Sequence, residues 1–252
     1  MRAGVAVALL AVLSGCGERK QAAKVPEKKA PEYFRVDPAT AGLVTGKATF
    51  QGKIPRRERI DLDEDEQCVK LNPRGMYDAS IVVNKDRTLS NVFVYVKAGL
   101  EGKTFPPPDG PVVLDQRGCQ FAPRVWATRT GQMFQVTNSD PVTHNVHPIA
   151  RNNREWNQSQ GPGDPPLERK FVWPEVMIRI KCNVHSWMRS WAAVMEHPYY
   201  AVTGADGSFT IPNLPPGEYT LEAWQEKLGT QEQKIRVEPS GKVEIGFAFE
   251  GE

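Results

Sequence analysis

A chain of 252 residues is long enough for one large domain or two small ones with real cores. Its 32 basic and 30 acidic residues leave a net charge of +2, which gives no electrostatic case for a nucleic-acid binder. Gly and Pro, 21 of each, punctuate short alternating apolar runs, so an all-β protein is expected, with no helix-period stretch long enough to organise a fold.

Arg2 precedes an apolar run from Gly4 to Leu13, too short to span a bilayer and shaped like the h-region of a signal peptide. It ends in Leu13-Ser14-Gly15-Cys16, which resembles the lipobox of bacterial lipoproteins. That resemblance implies removal of residues 1–15, a lipid on the sulfur of Cys16, and a place in the bacterial cell envelope. Gly17 after the cysteine favours the outer membrane over retention in the inner one, with membrane contact through the lipid only. The alternative is an ordinary secreted protein in which Cys16 is incidental; in both readings the chain leaves the cytoplasm. Residues 16–39, rich in Lys, Glu, Ala and Pro, hold too few large apolar side chains to order themselves and read as a flexible tether.

Alternating strands are expected at Gly42-Leu43-Val44-Thr45-Gly46-Lys47-Ala48-Thr49-Phe50 and at Asn91-Val92-Phe93-Val94-Tyr95-Val96. Between them Asp61, Asp63, Glu64, Asp65 and Glu66 form a carboxylate run. Lacking the loop glycine and terminal glutamate of an EF-hand, it reads as a solvated surface turn. Cys68 and Cys119 are thiols without another assignment, and in an exported protein such a pair is expected to form a disulfide. Two buried free thiols are the alternative.

Gly131 to Val136 reads as a strand entered from a glycine turn, and Asn138-Ser139-Asp140-Pro141 as the turn that follows. His144 opens the next strand, where it shares a face with Val146 while His147 points the other way. Residues 151–170, rich in Asn, Gln, Gly and Pro, read as a surface insertion, with a partner-docking loop as the other possibility. In the run from Val176 to Cys182, alternation turns Val176, Ile178, Ile180 and Cys182 inward. A thiol buried there is inert unless a metal makes it a thiolate. Cys182-Asn183-Val184-His185-Ser186-Trp187-Met188 then sets a thiolate, an imidazole and a thioether at C-x2-H-x2-M spacing. With His144 these make a His2Cys set with a weak axial Met, the donor set of blue-copper electron-transfer sites; the soft sulfur pair favours copper over zinc.

From about Pro111 to Glu196 the chain resembles the cupredoxins. The residues that carry the likeness are Asn138-Ser139-Asp140, His144-Asn145-Val146, the Cys182 loop, Phe121-Ala122-Pro123 and Gly131, and the loop spacing is nearest to amicyanin. The resemblance implies a Greek-key β-sandwich holding one type 1 copper ion on His144, Cys182, His185 and Met188. It further implies that Asn145 hydrogen-bonds the ligand loop and that His185 turns its ring edge to solvent as the electron port. Val184 stands where amicyanin-like loops carry Pro, and Trp187 where they carry Pro or a smaller residue, which bears on loop stiffness and redox potential. His147 is expected to be structural or exposed, and His197 to be a linker or packing residue.

After Tyr200 come Thr203-Gly204-Ala205-Asp206-Gly207-Ser208-Phe209 and Leu214-Pro215-Pro216-Gly217-Glu218-Tyr219. Asp206-Gly207 reads as a hairpin turn and Pro215-Pro216-Gly217 as another sharp reversal, before strands at Lys234–Val237 and Val243–Phe249. These motifs resemble the carboxypeptidase regulatory-like, transthyretin-like β-sandwich, whose opening G-x-V-x-G strand and central aromatic strand would be the earlier Gly42 and Asn91 runs. Residues 40–105 plus 198–252 would then form one discontinuous sandwich interrupted by a cupredoxin at 106–197; two sequential domains are the alternative.

The function implied is a lipid-anchored, non-enzymatic carrier of single electrons between redox proteins of the cytochrome or dehydrogenase class, in the periplasm or on the outer membrane. Two other readings remain open. One is a copper-handling or sensing envelope protein. The other is a surface module binding carbohydrate or protein, with Trp126, Trp156, Trp173, Trp187, Trp191 and Trp224 as possible stacking residues.

Overall fold

The computed structural model describes residues 32–251; the expected signal peptide, the lipidated Cys16 and most of the tether lie outside them. The first stretch holds β1 (Gly42–Gly52), β2 (Arg59–Ile60), helix α1 (Glu66–Leu71), β3 (Met76–Tyr77), β4 (Val82–Val83), β5 (Leu89–Ser90) and β6 (Phe93–Ala98). Next come β7 (Val112–Gln116), β8 (Phe121–Ala122), β9 (Val125–Arg129), β10 (Met133–Asn138) and β11 (His144–Ile149). They are followed by β12 (Gln158–Gln160), β13 (Leu167–Lys170), β14 (Glu175–Lys181) and β15 (Arg189–Met195). The chain closes with β16 (Tyr200–Val202), β17 (Ser208–Leu214), β18 (Gly217–Gln225), β19 (Gly229–Val237) and β20 (Lys242–Gly251). The protein is all-β, built as two packed sandwiches.

One sandwich pairs a four-stranded sheet, β13-β10-β7-β8, with a five-stranded sheet, β12-β11-β14-β15-β9. Inward positions of both sheets meet in one core that includes Leu114, Phe134, Val136, Val146, Ile178 and Ile180. Each such aliphatic or aromatic side chain contributes roughly 1.5–3 kcal/mol by leaving water.

The other sandwich joins strands from both ends of the described chain. β1 lies between β17 and β20 in one sheet, and β6 lies between β16 and β18 in the facing sheet β16-β6-β18-β19. β1 runs antiparallel to β17 and parallel to β20, in register from Leu43↔Lys242 to Gly52↔Gly251. Gly46 must be glycine here, since a Cβ would sit 2.0 Å from the Ile245 carbonyl oxygen. Val44, Ala48, Phe50, Val94, Val96, Phe247 and Phe249 fill the core. The two sandwiches share a third apolar cluster of Phe93, Tyr95, Val125, Ala193 and Met195. Beside it the Arg124 guanidinium donates to both carboxylate oxygens of Glu226, at 2.8 and 2.9 Å.

Three expectations from the sequence are corrected. Alternation along β14 breaks, because Met177 takes φ +62° and the register with β15 shifts between Glu175 and Ile178. This bulge puts two residues opposite one, so Val176 is 41% exposed while Ile178, Ile180 and Cys182 stay buried. Asp206-Gly207 is not a hairpin turn, since β16 and β17, which it connects, lie in opposite sheets; the reversal at Pro215-Pro216-Gly217 likewise carries the chain from β17 to β18 in the other sheet, and the hairpin of this region is β18–β19, closing from Gln225 to Gly229. Residues 151–170 are not a loose insertion: they supply β12 and β13, the edge strands of both sheets of the first sandwich. Gln160, fully buried, ties them in by donating to the carbonyls of Val136 and Pro165.

Candidate metal centre

β11, the end of β14 and the loop after it bring His144, Cys182 and His185 together, with one potential ligand atom from each within 4.8 Å of the others. The loop closes on itself: Cys182 N–H donates to the Met188 carbonyl at 3.2 Å and Met188 N–H to the His185 carbonyl at 3.0 Å. His144, Cys182, His185 and Met188 are all buried, and Met188 packs in the same cluster as Cys182. His144 Nδ1 lies 3.0 Å from His185 Nδ1, which lies 3.9 Å from Cys182 Sγ.

The sulfur sits among donors. Backbone N–H groups of Asn145 and His185 point at Cys182 Sγ at 3.3 and 3.4 Å. Burial alone raises the thiol's pKa, but hydrogen bonds from His144, His185 and these two amides outweigh it and bring Cys182 down to about 5. The His185 imidazole is pushed up, chiefly by its hydrogen bond with Cys182 against the opposing effect of burial, with Asp65 adding to the rise. Asn145 Oδ1 accepts Asn183 N–H at 3.2 Å, tying β11 to the loop.

Both imidazoles are held from behind. His144 Nε2 lies 2.8 Å from Asp140 Oδ2, and His185 Nε2 lies 3.2 Å from Asp65 Oδ2. Asp140 accepts the N–H groups of Gly118 and Cys119 at 2.6 and 2.7 Å. Asp65 is the N-cap of α1 and accepts the N–H groups of Gln67 and Cys68 at 2.8 and 3.1 Å. Burial opposes its ionisation, yet the Cys68 amide, His185 and the Gln67 amide hold its pKa below the usual carboxylate value.

An ionised carboxylate only accepts, so each Nε2 carries a proton and each ring turns its Nδ1 toward the site. Two Nδ1 atoms and a sulfur with thiolate character then face one another in a buried pocket. Such a set is satisfied either by protons shared among the three atoms or by a cation that takes their place. Imidazole nitrogens, a thiolate and a nearby thioether suit a soft or borderline transition metal, and the residues therefore fit copper.

The structure also corrects the expected surroundings. His185 does not turn its ring edge to solvent: it is 2% exposed, covered by Asp65, by Cys68 Sγ at 3.8 Å and by the Trp187 ring at 5.1 Å between centroids. Asp65 is correspondingly no solvated turn residue. Sequence reasoning missed it as a contact to the site because 120 positions separate it from His185. Asp140 was visible in the turn before His144, and its i,i+4 spacing to that histidine was the available signal. Cys68 and Cys119 form a disulfide, with Cα atoms 5.7 Å apart. His147 faces away and pairs with Glu155 and Asn183. His197 is half-buried, and burial, with the Arg129 charge adding to it, pushes its pKa down to about 4.

Comparison with known proteins bears on the second sandwich through a family match. The family model of the carboxypeptidase regulatory-like domain matches residues 192–250. That stretch contains β16 to β19, most of β20, and both motifs from Thr203 to Tyr219. No curated protein matches the chain. Solved structures that resemble it include a copper-containing nitrite reductase from Thermus scotoductus, 20% identical with a TM-score of 0.32 over 40% of this chain and 25% of that one. The chain thus spans a quarter of that enzyme's length. A purple cupredoxin from Nitrosopumilus maritimus is 20% identical, with a TM-score of 0.29 over 33% of this chain and 99% of that one. An oxidized amicyanin mutant is 20% identical, with a TM-score of 0.30 over 35% of this chain and 85% of its own.

Proposed function

We propose that the chain would hold one copper ion through His144, Cys182 and His185, with the Met188 thioether as a weaker fourth ligand, and would carry single electrons between redox proteins outside the cytoplasm. The convergence of two imidazole Nδ1 atoms on a buried cysteine sulfur supports this reading above all. Bound there, copper supplies one-electron redox chemistry. The chain's own work is to hold four donors on rigid strands and a self-closed loop, to exclude water from them, and to fix each ring's tautomer through a carboxylate. It is not an enzyme in this reading.

The second sandwich is read as discontinuous, residues 40–105 plus 198–252, with the copper-binding segment 106–197 inserted; β1 and β6 sharing sheets with β16 to β20 supports that division. The Cys68–Cys119 disulfide supports an oxidising compartment. A lipid on Cys16 would anchor the protein in the envelope, and the partner is taken to be a cytochrome or dehydrogenase-class protein. The closed edge of His185 favours a second reading, in which copper is held rather than shuttled.

Copper(II) titration of the soluble chain, followed by visible absorption, tests the site. A strong thiolate-to-copper band near ~600 nm that vanishes in Cys182→Ser is expected. Metal bound without that band would refute the ligand set. In protein that shows the band, immeasurably slow electron self-exchange would move the role from carrier to holder.

A further inference from the structure

The hydrogen bonds behind the two imidazoles form a closed circuit. From His185 it runs to Asp65, through the Cys68 amide to the Cys68–Cys119 disulfide, through the Cys119 amide to Asp140, and so to His144. Asn72 braces it by donating to the carbonyls of Cys68 at 2.9 Å and Gly118 at 3.0 Å. Trp187, between the two ligands of its own loop, donates to the Cys119 carbonyl at 3.0 Å. Each of the two carboxylates behind the rings therefore accepts an N–H from one cysteine of the same covalent bridge. Half of the bridge comes from α1, whose N-cap Asp65 lies 120 positions before His185.

We propose that Asp65 and Asp140 are positioning residues of the metal centre, locked together by the Cys68–Cys119 disulfide, and that Asp65 also sets the centre's preference between copper oxidation states. The proposal rests on the copper reading above. Carboxylates behind metal-bound imidazoles fix ring orientation and raise ligand basicity, and losing one typically weakens metal binding about 10–100-fold. Asp65 adds a negative charge on the outer side of His185, which favours the more highly charged copper(II). Removing it weakens copper(II) binding more than copper(I) binding, so the reduction potential rises.

Asp65 has a second job as the N-cap of α1, and the test separates the two. Serine caps a helix as well as aspartate but is too short to reach His185, so Asp65→Ser keeps the cap and loses the clamp. The full soluble chain is loaded with copper, and affinity for each oxidation state is measured by chelator competition, with the potential measured by voltammetry. The expected result is copper(II) affinity lower by about 10–100-fold. The ratio of the two affinities should shift about tenfold, which a one-electron couple reads as about 59 mV upward. Unchanged affinity and potential in Asp65→Ser, with the thiolate band intact in the parent protein, would overturn the clamp and leave the copper site standing. Absence of the band in the parent protein would overturn both. If Asp65→Ser fails to fold, Asp65→Asn caps the helix and still accepts from His185 while removing the charge. A raised potential in that variant supports the proposal, and an unchanged one overturns it.

Discussion

Replacing both bridge cysteines, as Cys68→Ala with Cys119→Ala, measures how much of the first sandwich depends on its covalent tie. The two residues are separated by 51 positions and both are fully buried. For a loop of that size the chain-entropy relation gives an unfolded-state entropy gain of about 14 cal/mol/K, which is about 4 kcal/mol at 25 °C. At 2–4 °C per kcal/mol for a chain of this size, the melting temperature should fall by roughly 8–16 °C. Urea unfolding of the metal-free protein, monitored by tryptophan fluorescence, gives the free energy directly. Trp126 and Trp187 belong to this sandwich and report its transition. A loss below about 1 kcal/mol would refute the reasoning, because it would mean that the unfolded chain already holds α1 close to the β7–β8 turn without the bridge.

Phe247→Ala, at a fully buried position of the other sandwich, should cost about 3–5 kcal/mol in urea unfolding yet leave the copper band unchanged; a changed band would show that the two cores are coupled. Gly46→Ala should destabilise the same sandwich by at least about 1 kcal/mol, since its Cβ would collide with the Ile245 backbone carbonyl and with the Phe209 ring; equal or higher stability would contradict the packing of β1 on β20. His197 titrates near 4 when folded and near 6.5 when unfolded, so the unfolded state binds more protons between those values. Its contribution is full above pH ~6.5 and is lost as pH falls toward ~4, by up to about 2–3 kcal/mol for a half-buried ring. The pH slope of urea stability between about 7 and 5 should flatten in His197→Asn, and an unchanged slope would rule the ring out as its source.

Alternation was legible wherever a strand has one buried face and a regular ladder, as in β1, where Val44, Ala48 and Phe50 are buried, and in β20, where Phe247 and Phe249 are. It failed at Met177, because a bulge leaves no mark in composition: no Gly or Pro interrupts the run from Val176 to Lys181. The turns at Asp206-Gly207 and Pro215-Pro216-Gly217 were legible as turns, but turn chemistry fixes a reversal of the chain and says nothing of whether the next strand stays in the sheet. Likewise the spacing from Cys182 to Met188 marks a donor loop, whereas the exposure of His185 depends on what packs over it from elsewhere in the chain.

That cover has a consequence for where the centre ends. His144, Cys182, His185 and Met188 all fall between β11 and β15, yet Asp65 and Cys68 come from the segment between β1 and β6. Both of those strands belong to the other sandwich, so the path of the chain that builds one core also carries α1 across the second. A sandwich alone can supply the donors, but it leaves the outer nitrogen of His185 to water, which neither fixes its tautomer nor adds charge behind it. Here a carboxylate does both, and the disulfide prevents the cover from lifting without strain on the turn that supports His144. The candidate metal centre therefore draws on the described chain beyond residues 106–197, and under the proposed carrier role electrons would leave through something other than the buried edge of His185. Trp187, half-buried and packed on that ring, is the side chain positioned to provide that exit.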